Sequence, residues 1–388
     1  MTDYRAVAAQ ELEVMGAFRS PWLRAAFHAV DRTHFIPPRF WILDTDENGL
    51  HQVIDRSSDP DAWLRAVWET HRSVIVQMND GHTADQGPAR GEFSSSVSAM
   101  DIVFEKLNQL DLEPHHKVLE VGTGSGCNTA YLCQRVGPRN VTSVEVDPTL
   151  AEQAVDNLKR AGYEPETVCG DGLAGWAGSA PYDRIINTAS VRHIPTAWRS
   201  QCRDGGTVLT PFNTLFARGG LLKLRVLDRV ASGRFTGGAN YMWIRSQRPA
   251  NRVTELHEFK CRASPVDPAQ VLGRSWAQDF VLGLHVPDMS VDRRDTETGR
   301  QAQLWDEAGS SVTVVRYTDW WQPDAVTVWG ERDLWADLVT AFTAWRTAGQ
   351  PHYTRYGLTI DDAGARLWLD SPDQTVSLPN ALRPSTLS

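Results

Sequence analysis

The run Val118-Leu119-Glu120-Val121-Gly122-Thr123-Gly124-Ser125-Gly126 ends an apolar stretch in three glycines spaced GxGxG. Glycine carries no Cβ, so backbone at such a turn can approach a ligand to van der Waals distance. The dinucleotide fingerprint is GxGxxG, and Cys127 stands where its last glycine belongs, which counts against a nicotinamide cofactor. Glu145 ends the next predicted strand, about 20 residues beyond the first loop glycine, where a carboxylate can accept from both hydroxyls of a ribose. Asp171-Gly172 follows a third run. Taken alone that pair is an ordinary turn, but at the same rim the acid can accept from an adenine amino group. Three such features at consecutive strand ends suit a ligand with an adenosine and no pyrophosphate, and S-adenosylmethionine fits.

The elements that must position these residues follow from periodicity. From Met100 the pattern predicts a helix (Met100, Val103, Phe104, Leu107), a strand over 117–121, a helix over 129–136, a strand over 141–146 and a helix over 150–161. Strands at 166–169, 184–188 and 207–209 continue it. Strands alternating with helices of about ten residues argue for a parallel sheet covered on both faces, whose ligands sit at the strands' carboxyl ends. The expected fold is therefore α/β, a doubly wound Rossmann-like sheet with a smaller appended C-terminal α+β domain. Before it, Ser20-Pro21 reads as a helix start, Ser73 to Val76 as a short strand, and 44–61 and 79–92 as surface loops. After Gly237-Gly238 the alternation stops. Nine of the 15 tryptophans (Trp243, Trp276, Trp305, Trp320, Trp321, Trp329, Trp335, Trp345 and Trp368) lie there. Leu334, Trp335, Leu338, Phe342 and Trp345 fit one helix face, read as the core of a small domain ahead of a peptide-binding face. Residues 356–360 and 366–369 read as a hairpin. The expected organisation is 1–80, an N-terminal helical region with a strand packing on the core; 81–245, the cofactor-binding core; and 246–388, a tryptophan-rich domain for peptide recognition.

Composition excludes several classes. Hydrophobic residues make up 41% of the 388-residue chain and charged residues 22%, globular values that argue against disorder. No apolar run approaches the roughly 18 residues of a membrane helix, and the first ten residues lack the pattern of a secretion signal, so a cytoplasmic protein is expected. Five cysteines without a CxxC pair suit a reducing compartment. No metal site is expected. A net charge of −9 argues against a nucleic-acid partner, and no membrane partner is expected.

Gly91-Glu92-Phe93-Ser94-Ser95-Ser96-Val97 and the run 117–195, with Gly170-Asp171-Gly172, Ile185-Ile186-Asn187-Thr188-Ala189-Ser190 and Ile194-Pro195, resemble protein-L-isoaspartate O-methyltransferases. Ala26 to Val30 and His34 to Pro37 resemble that family's N-terminal helix and turn. The resemblance implies S-adenosylmethionine as cofactor, held by Glu120, Gly122, Thr123, Gly124, Ser125, Gly126, Glu145, Val146, Asp171 and Gly172. The family's motif Gly-Gln-Thr-Ile-Ser-Gln-Pro carries its catalytic serine, and in register Ser95 takes that place. This chain departs around it, with Glu92, Phe93, Ser96 and Val97 for Gln, Thr, Gln and Pro. Such a serine-rich variant, the segments 44–61 and 79–92 and the tail motifs Tyr353 to Thr359 and Leu367 to Asp370 resemble methyltransferases paired with ATP-grasp ligases in ester-crosslinked peptide (graspetide) pathways. Related enzymes act on lanthipeptides. That resemblance implies methylation of an aspartate in a modified precursor peptide, the expected partner, followed by closure to an aspartimide.

The expected chemistry is in-line attack of a carboxylate on a sulfonium methyl. An aspartate of pKa about 3.9 is already ionised at neutral pH, so no strong base is needed. Ser95 is the candidate for orienting the acceptor by donating a hydrogen bond, with His193 as a possible helper. Alternatives are isoaspartyl repair, a peptide-binding module that has lost catalysis, and a nicotinamide-dependent oxidoreductase.

Overall fold

A computed structural model describes residues 2–84, 86–250, 258–273, 275–297 and 299–376. Asp85 of the 79–92 segment and the last twelve residues lie outside that range. Contacts divide the chain into two compact units, 2–189 with 195–210 and 225–229, and 190–194 with 211–224 and 230–376.

The first unit opens with helices α1 (Tyr4–Val14) and α2 (Pro21–Ala29), the latter with Pro21 at its first turn, where the missing N–H costs nothing. Strands β1 (Arg39–Thr45) and β2 (His51–Asp55), helix α3 (Pro60–Val67), and strands β3 (Val74–Met78) and β4 (Phe93–Val97) follow. These strands form an antiparallel sheet in the order β2-β1-β3-β4. The segment 44–61, expected as loop, is thus largely β1–β2 hairpin and the start of α3. Buried Trp41, Ile75 and Met78, with Val53, Ala89 and Phe93 against them, give the hairpin a core of its own, an apolar set too short to declare its period. The serine run is likewise strand.

Helix α4 (Met100–Leu110) leads into the main sheet: β5 (Val118–Val121), α5 (Cys127–Val136), β6 (Val141–Glu145), α6 (Pro148–Arg160), β7 (Glu166–Cys169), β8 (Tyr182–Asn187), α7 (Thr196–Gln201) and β9 (Cys202–Phe212). These five strands are parallel, in the order β9-β8-β5-β6-β7. All of β5 (Val-Leu-Glu-Val) and β6 (Val-Thr-Ser-Val-Glu) is buried, so neither shows the polar-out alternation of a half-exposed strand, and their polar side chains must find partners inside the fold. The chain winds outward from β5 through β6 to β7, then returns to β8 on β5's other side. The gap beyond the ends of β5 and β8 is therefore the switch point at which open α/β sheets bind ligands. The expected Rossmann-like sheet is present.

Strand β10 (Gly220–Leu227), of which 220–224 fall in the second unit, and β11 (Val230–Gly238) precede that unit's five-stranded antiparallel sheet. Its strands are β12 (Phe259–Arg262), β13 (Met289–Thr296), β14 (Gly299–Asp306), β15 (Val312–Arg316) and β16 (Val326–Trp329), ordered β12-β16-β15-β14-β13. Helices α8 (Pro268–Val271) and α9 (Trp276–His285) lie between β12 and β13 in sequence, and α10 (Leu334–Thr347) packs on β14, β15 and α9. The apolar stripe of α10 is core: Leu334, Trp335, Leu338, Phe342 and Trp345 are buried. The indole of Trp335 donates to Ser264 Oγ (2.8 Å) and that of Trp345 to Pro351 O (3.1 Å), the usual arrangement for a buried indole N–H. The predicted hairpin forms as β17 (Tyr356–Asp361) and β18 (Gly364–Leu369), and β17 pairs with β11. Among the described residues no helix is long and apolar enough to cross a membrane, and no cluster of His, Cys, Asp or Glu could hold a metal ion.

Candidate active site

The carboxyl end of β5 turns through Gly122, Gly124 and Gly126, all at positive φ (87°, 53° and 88°), a region that other residues enter only with strain. A Cβ on Gly122 would lie 2.5 Å from Thr188 Oγ1, because Thr188, just past β8, clamps the loop. Its amide and hydroxyl donate to Val121 O (2.8 and 3.0 Å), and its hydroxyl also reaches Gly122 O. A Cβ on Gly126 would press on Leu158 at 3.0 Å, so that glycine lets α5 close onto α6. Ser125 is fixed through its carbonyl, which accepts from Asn157 Nδ2 at 3.0 Å.

Glu145, at the end of β6, is buried. Its carboxylate accepts from two backbone amides, Gly124 N (2.8 Å, to Oε2) and Asp147 N (3.1 Å, to Oε1). Val146, the next residue, is 43% exposed and offers an apolar surface at the rim. Asp171, past β7, is exposed, and its Oδ1 caps a turn by accepting from Leu173 N at 2.9 Å. Gly170 N donates to Glu145 O at 2.8 Å, which ties this turn to the β6 end. Gly172 is buried where a Cβ would meet Val121 Cγ1 at 2.3 Å, and its carbonyl accepts from the Trp198 indole at 2.8 Å. The three strand ends thus converge at one rim.

Glu120 sits beneath the rim. It is fully buried, and both oxygens are engaged: Oε1 by Asn128 Nδ2 (2.7 Å), Oε2 by Ser143 Oγ (2.7 Å) and by Thr129 Oγ1. Thr123 Oγ1 lies 2.6 Å from the same Ser143 hydroxyl. Burial pushes the Glu120 carboxyl above the usual range. Lys106, also buried, is pushed down to about 7 by burial against the pull of Glu120, and its Nζ donates to Asn187 O at 2.6 Å. Asn187 in turn holds Ala189 O and Thr210 Oγ1 (2.5 and 3.0 Å). These groups brace the loop from below, and sequence periodicity gave no sign of Lys106, which stands on the buried face of an otherwise ordinary amphipathic helix.

Ser95 lies on β4, buried, and a Cβ on Gly124 would come within 3.7 Å of its Oγ. The serine strand and the bare glycine of the loop therefore face each other. Arg32, fully buried, holds the far end of β4 in place: Nε donates to Val67 O (2.9 Å), and Nη2 to Val97 O (3.3 Å) and Ser98 O (2.8 Å). His193 belongs to the second unit, where Gln247 binds its backbone in both directions (3.1 and 2.9 Å). Sequence reasoning missed Gln77, Asp147 and Thr188. Asp147-Pro148 is a legible helix start, but nothing in the sequence links it to the glycine loop.

The family model for protein-L-isoaspartate(D-aspartate) O-methyltransferase (PCMT) matches residues 50–236. The chain is 41% identical over 148 residues to the protein-L-isoaspartate O-methyltransferase of Methanococcus maripaludis, covering 38% of this chain and 69% of that one. To the protein of the same name from Ignicoccus hospitalis it is 42% identical over 149 residues, covering 38% and 71%. A solved protein-L-isoaspartate O-methyltransferase superposes with a TM-score of 0.53 at 18% identity, across 95% of this chain and all of that one.

Proposed function

Because the chain belongs to the protein-L-isoaspartate O-methyltransferase family, we propose that its glycine loop, Glu145 and Asp171 hold S-adenosylmethionine while Ser95 orients an aspartate-derived carboxylate of a peptide. The protein is an S-adenosylmethionine-dependent carboxyl O-methyltransferase. The observation that carries the assignment of residues is the approach of Ser95 to Gly124, which brings the serine strand against the loop where β5 ends.

The residues present suit the cofactor. Gly124 leaves open the place a side chain would fill, and the neighbouring Glu145 is an acceptor of the kind a ribose needs. When bound, S-adenosylmethionine supplies an electrophilic methyl on a sulfonium. What the chain must provide is placement. Holding an acceptor oxygen at about 3 to 3.5 Å and in line is worth roughly 7 to 11 kcal/mol. The Ser95 hydroxyl serves as donor to the acceptor carboxylate; no base is required, since that carboxylate is ionised at neutral pH. Its buried setting keeps water from competing for the same oxygens.

The names of the relatives favour an L-isoaspartyl acceptor. A specific feature favours a second reading, an aspartate in a ribosomally made, modified precursor peptide such as an ester-crosslinked product of an ATP-grasp ligase. Phe93 and Val97 replace the Thr and Pro of the family motif, and the run between them is a bulged strand, with Phe93 packed into the Trp41 cluster. The second unit does not separate the two readings, because the solved relative matches 95% of the chain. Under the second reading an esterified aspartate has a better leaving group, and the next backbone nitrogen closes an imide with loss of methanol. Incubation with S-adenosylmethionine and a synthetic isoaspartyl peptide, followed by mass spectrometry, decides between them. Rapid methyl gain and methanol loss establish the isoaspartyl acceptor. Cofactor binding without turnover of that peptide supports the precursor. Absence of saturable S-adenosylhomocysteine binding overturns both.

A further inference from the structure

We propose that Gln77 is a positioning residue that couples the cofactor corner to the serine strand, so that filling one orders the other. The inference rests on the cofactor assignment above and deepens it. Gln77 lies opposite Ser95 in the β3–β4 ladder, and the register shifts on both sides of that pair. Bulges of this kind re-aim side chains beside active sites.

The amide of Gln77 is used at both ends. Nε2 donates to Asp147 Oδ2 at 3.0 Å, and Oε1 accepts from Ser94 Oγ at 2.9 Å. Chemistry fixes this orientation, since an ionised carboxylate only accepts and must face the NH2. Ser94 consequently spends its proton on Gln77, while its oxygen accepts from Asp80 N at 3.0 Å. That leaves Ser95, rather than Ser94, as the hydroxyl for an acceptor.

From Asp147 the path continues to the rim. Its Oδ1 accepts from Leu150 N at 3.1 Å as the cap of α6, and its amide donates to Glu145 Oε1 at 3.1 Å. Glu145 then holds Gly124 N at 2.8 Å, and Gly124 faces Ser95. The contacts close a ring: Ser95, Ser94, Gln77, Asp147, Glu145, Gly124 and back. A ribose that recruits Glu145 must share the carboxylate with those two amides. The adjustment reaches β4 through the side chain of Gln77, which bonds to both Ser94 of β4 and Asp147. Coupling of this sort is reciprocal, so a ligand that steadies β4 must also favour the cofactor.

Hydrogen exchange with S-adenosylhomocysteine as probe tests this without any acceptor. In the unaltered protein the probe is expected to slow exchange about fivefold or more in both the 122–126 loop and the 93–97 strand. In Gln77→Leu the loop is expected to keep its protection while that of the strand falls below about twofold. Ser94→Ala breaks the same link from its other end and stands in if the leucine variant does not fold. Equal strand protection in the variant and the unaltered protein overturns the proposal, as does a strand untouched by the probe when the loop is protected. A probe that protects neither segment instead overturns the cofactor assignment.

Discussion

The amide of Gly124 donates to Oε2 of Glu145 at 2.8 Å, so the middle glycine of the loop and the acid at the end of β6 are one structural feature, though 21 residues separate them. The carboxylate acts twice, shaping the loop from within and presenting acceptor capacity at the rim. Its replacement removes both.

Glu145→Ala is therefore expected to weaken S-adenosylhomocysteine binding about tenfold to a hundredfold, the range for hydrogen bonds to a charged group. Calorimetry measures it. Asp171→Ala, at an exposed turn, is expected to weaken binding with little change in thermal midpoint. An Asp171 variant with unaltered affinity would remove that residue from the site.

Ser95→Ala is expected to leave cofactor affinity within about twofold and to slow methyl transfer about tenfold to a hundredfold, if its donated bond is felt in the transition state. Single-turnover rates with a bound acceptor provide the measurement. An unchanged rate takes the serine out of the mechanism.

Gly172→Ala puts a methyl 2.3 Å from Val121 Cγ1. Since Val121 is buried in the sheet, neither side can yield cheaply, and a loss of roughly 1–3 kcal/mol is expected. Denaturant unfolding reads it directly. A neutral result would mean that the turn after β7 shifts freely.

His285 gives stability a pH dependence. Burial holds its imidazole down to about 4, with Nε2 3.3 Å from Tyr356 OH. The unfolded chain takes up this proton near 6.5 while the fold does not, so the unfolded state binds more protons between those values. The stabilisation is complete above about 6.5 and is lost as pH falls toward 4, by an amount on the order of 3 kcal/mol. In His285→Gln the fall in unfolding free energy between pH 7 and pH 4 is expected to be shallower. An identical fall in both proteins would refute the assignment.

The sequence by itself determined the parallel sheet and the rim. Short β-branched segments such as Val118 to Val121, alternating with helices of about ten residues, read as strands of a covered parallel sheet, and glycines at GxGxG announce a turn that leaves room for a close approach. Because these signals are local, each was legible within a few residues. The α10 stripe and the β17–β18 hairpin were legible for the same reason, their periods being 3.6 and 2.

Only the tertiary structure decided what joins the parts. That 44–61 makes a hairpin, that the serines lie on a bulged strand, and that Gln77 meets both Ser94 and Asp147 depend on residues as much as 70 positions apart. Buried Lys106 and Arg32 look like surface charges in a sequence, because nothing local tells whether a polar head finds its partners in water or in distant backbone carbonyls. Burial of a polar group is stable only when those partners exist, and the folded chain alone supplies them.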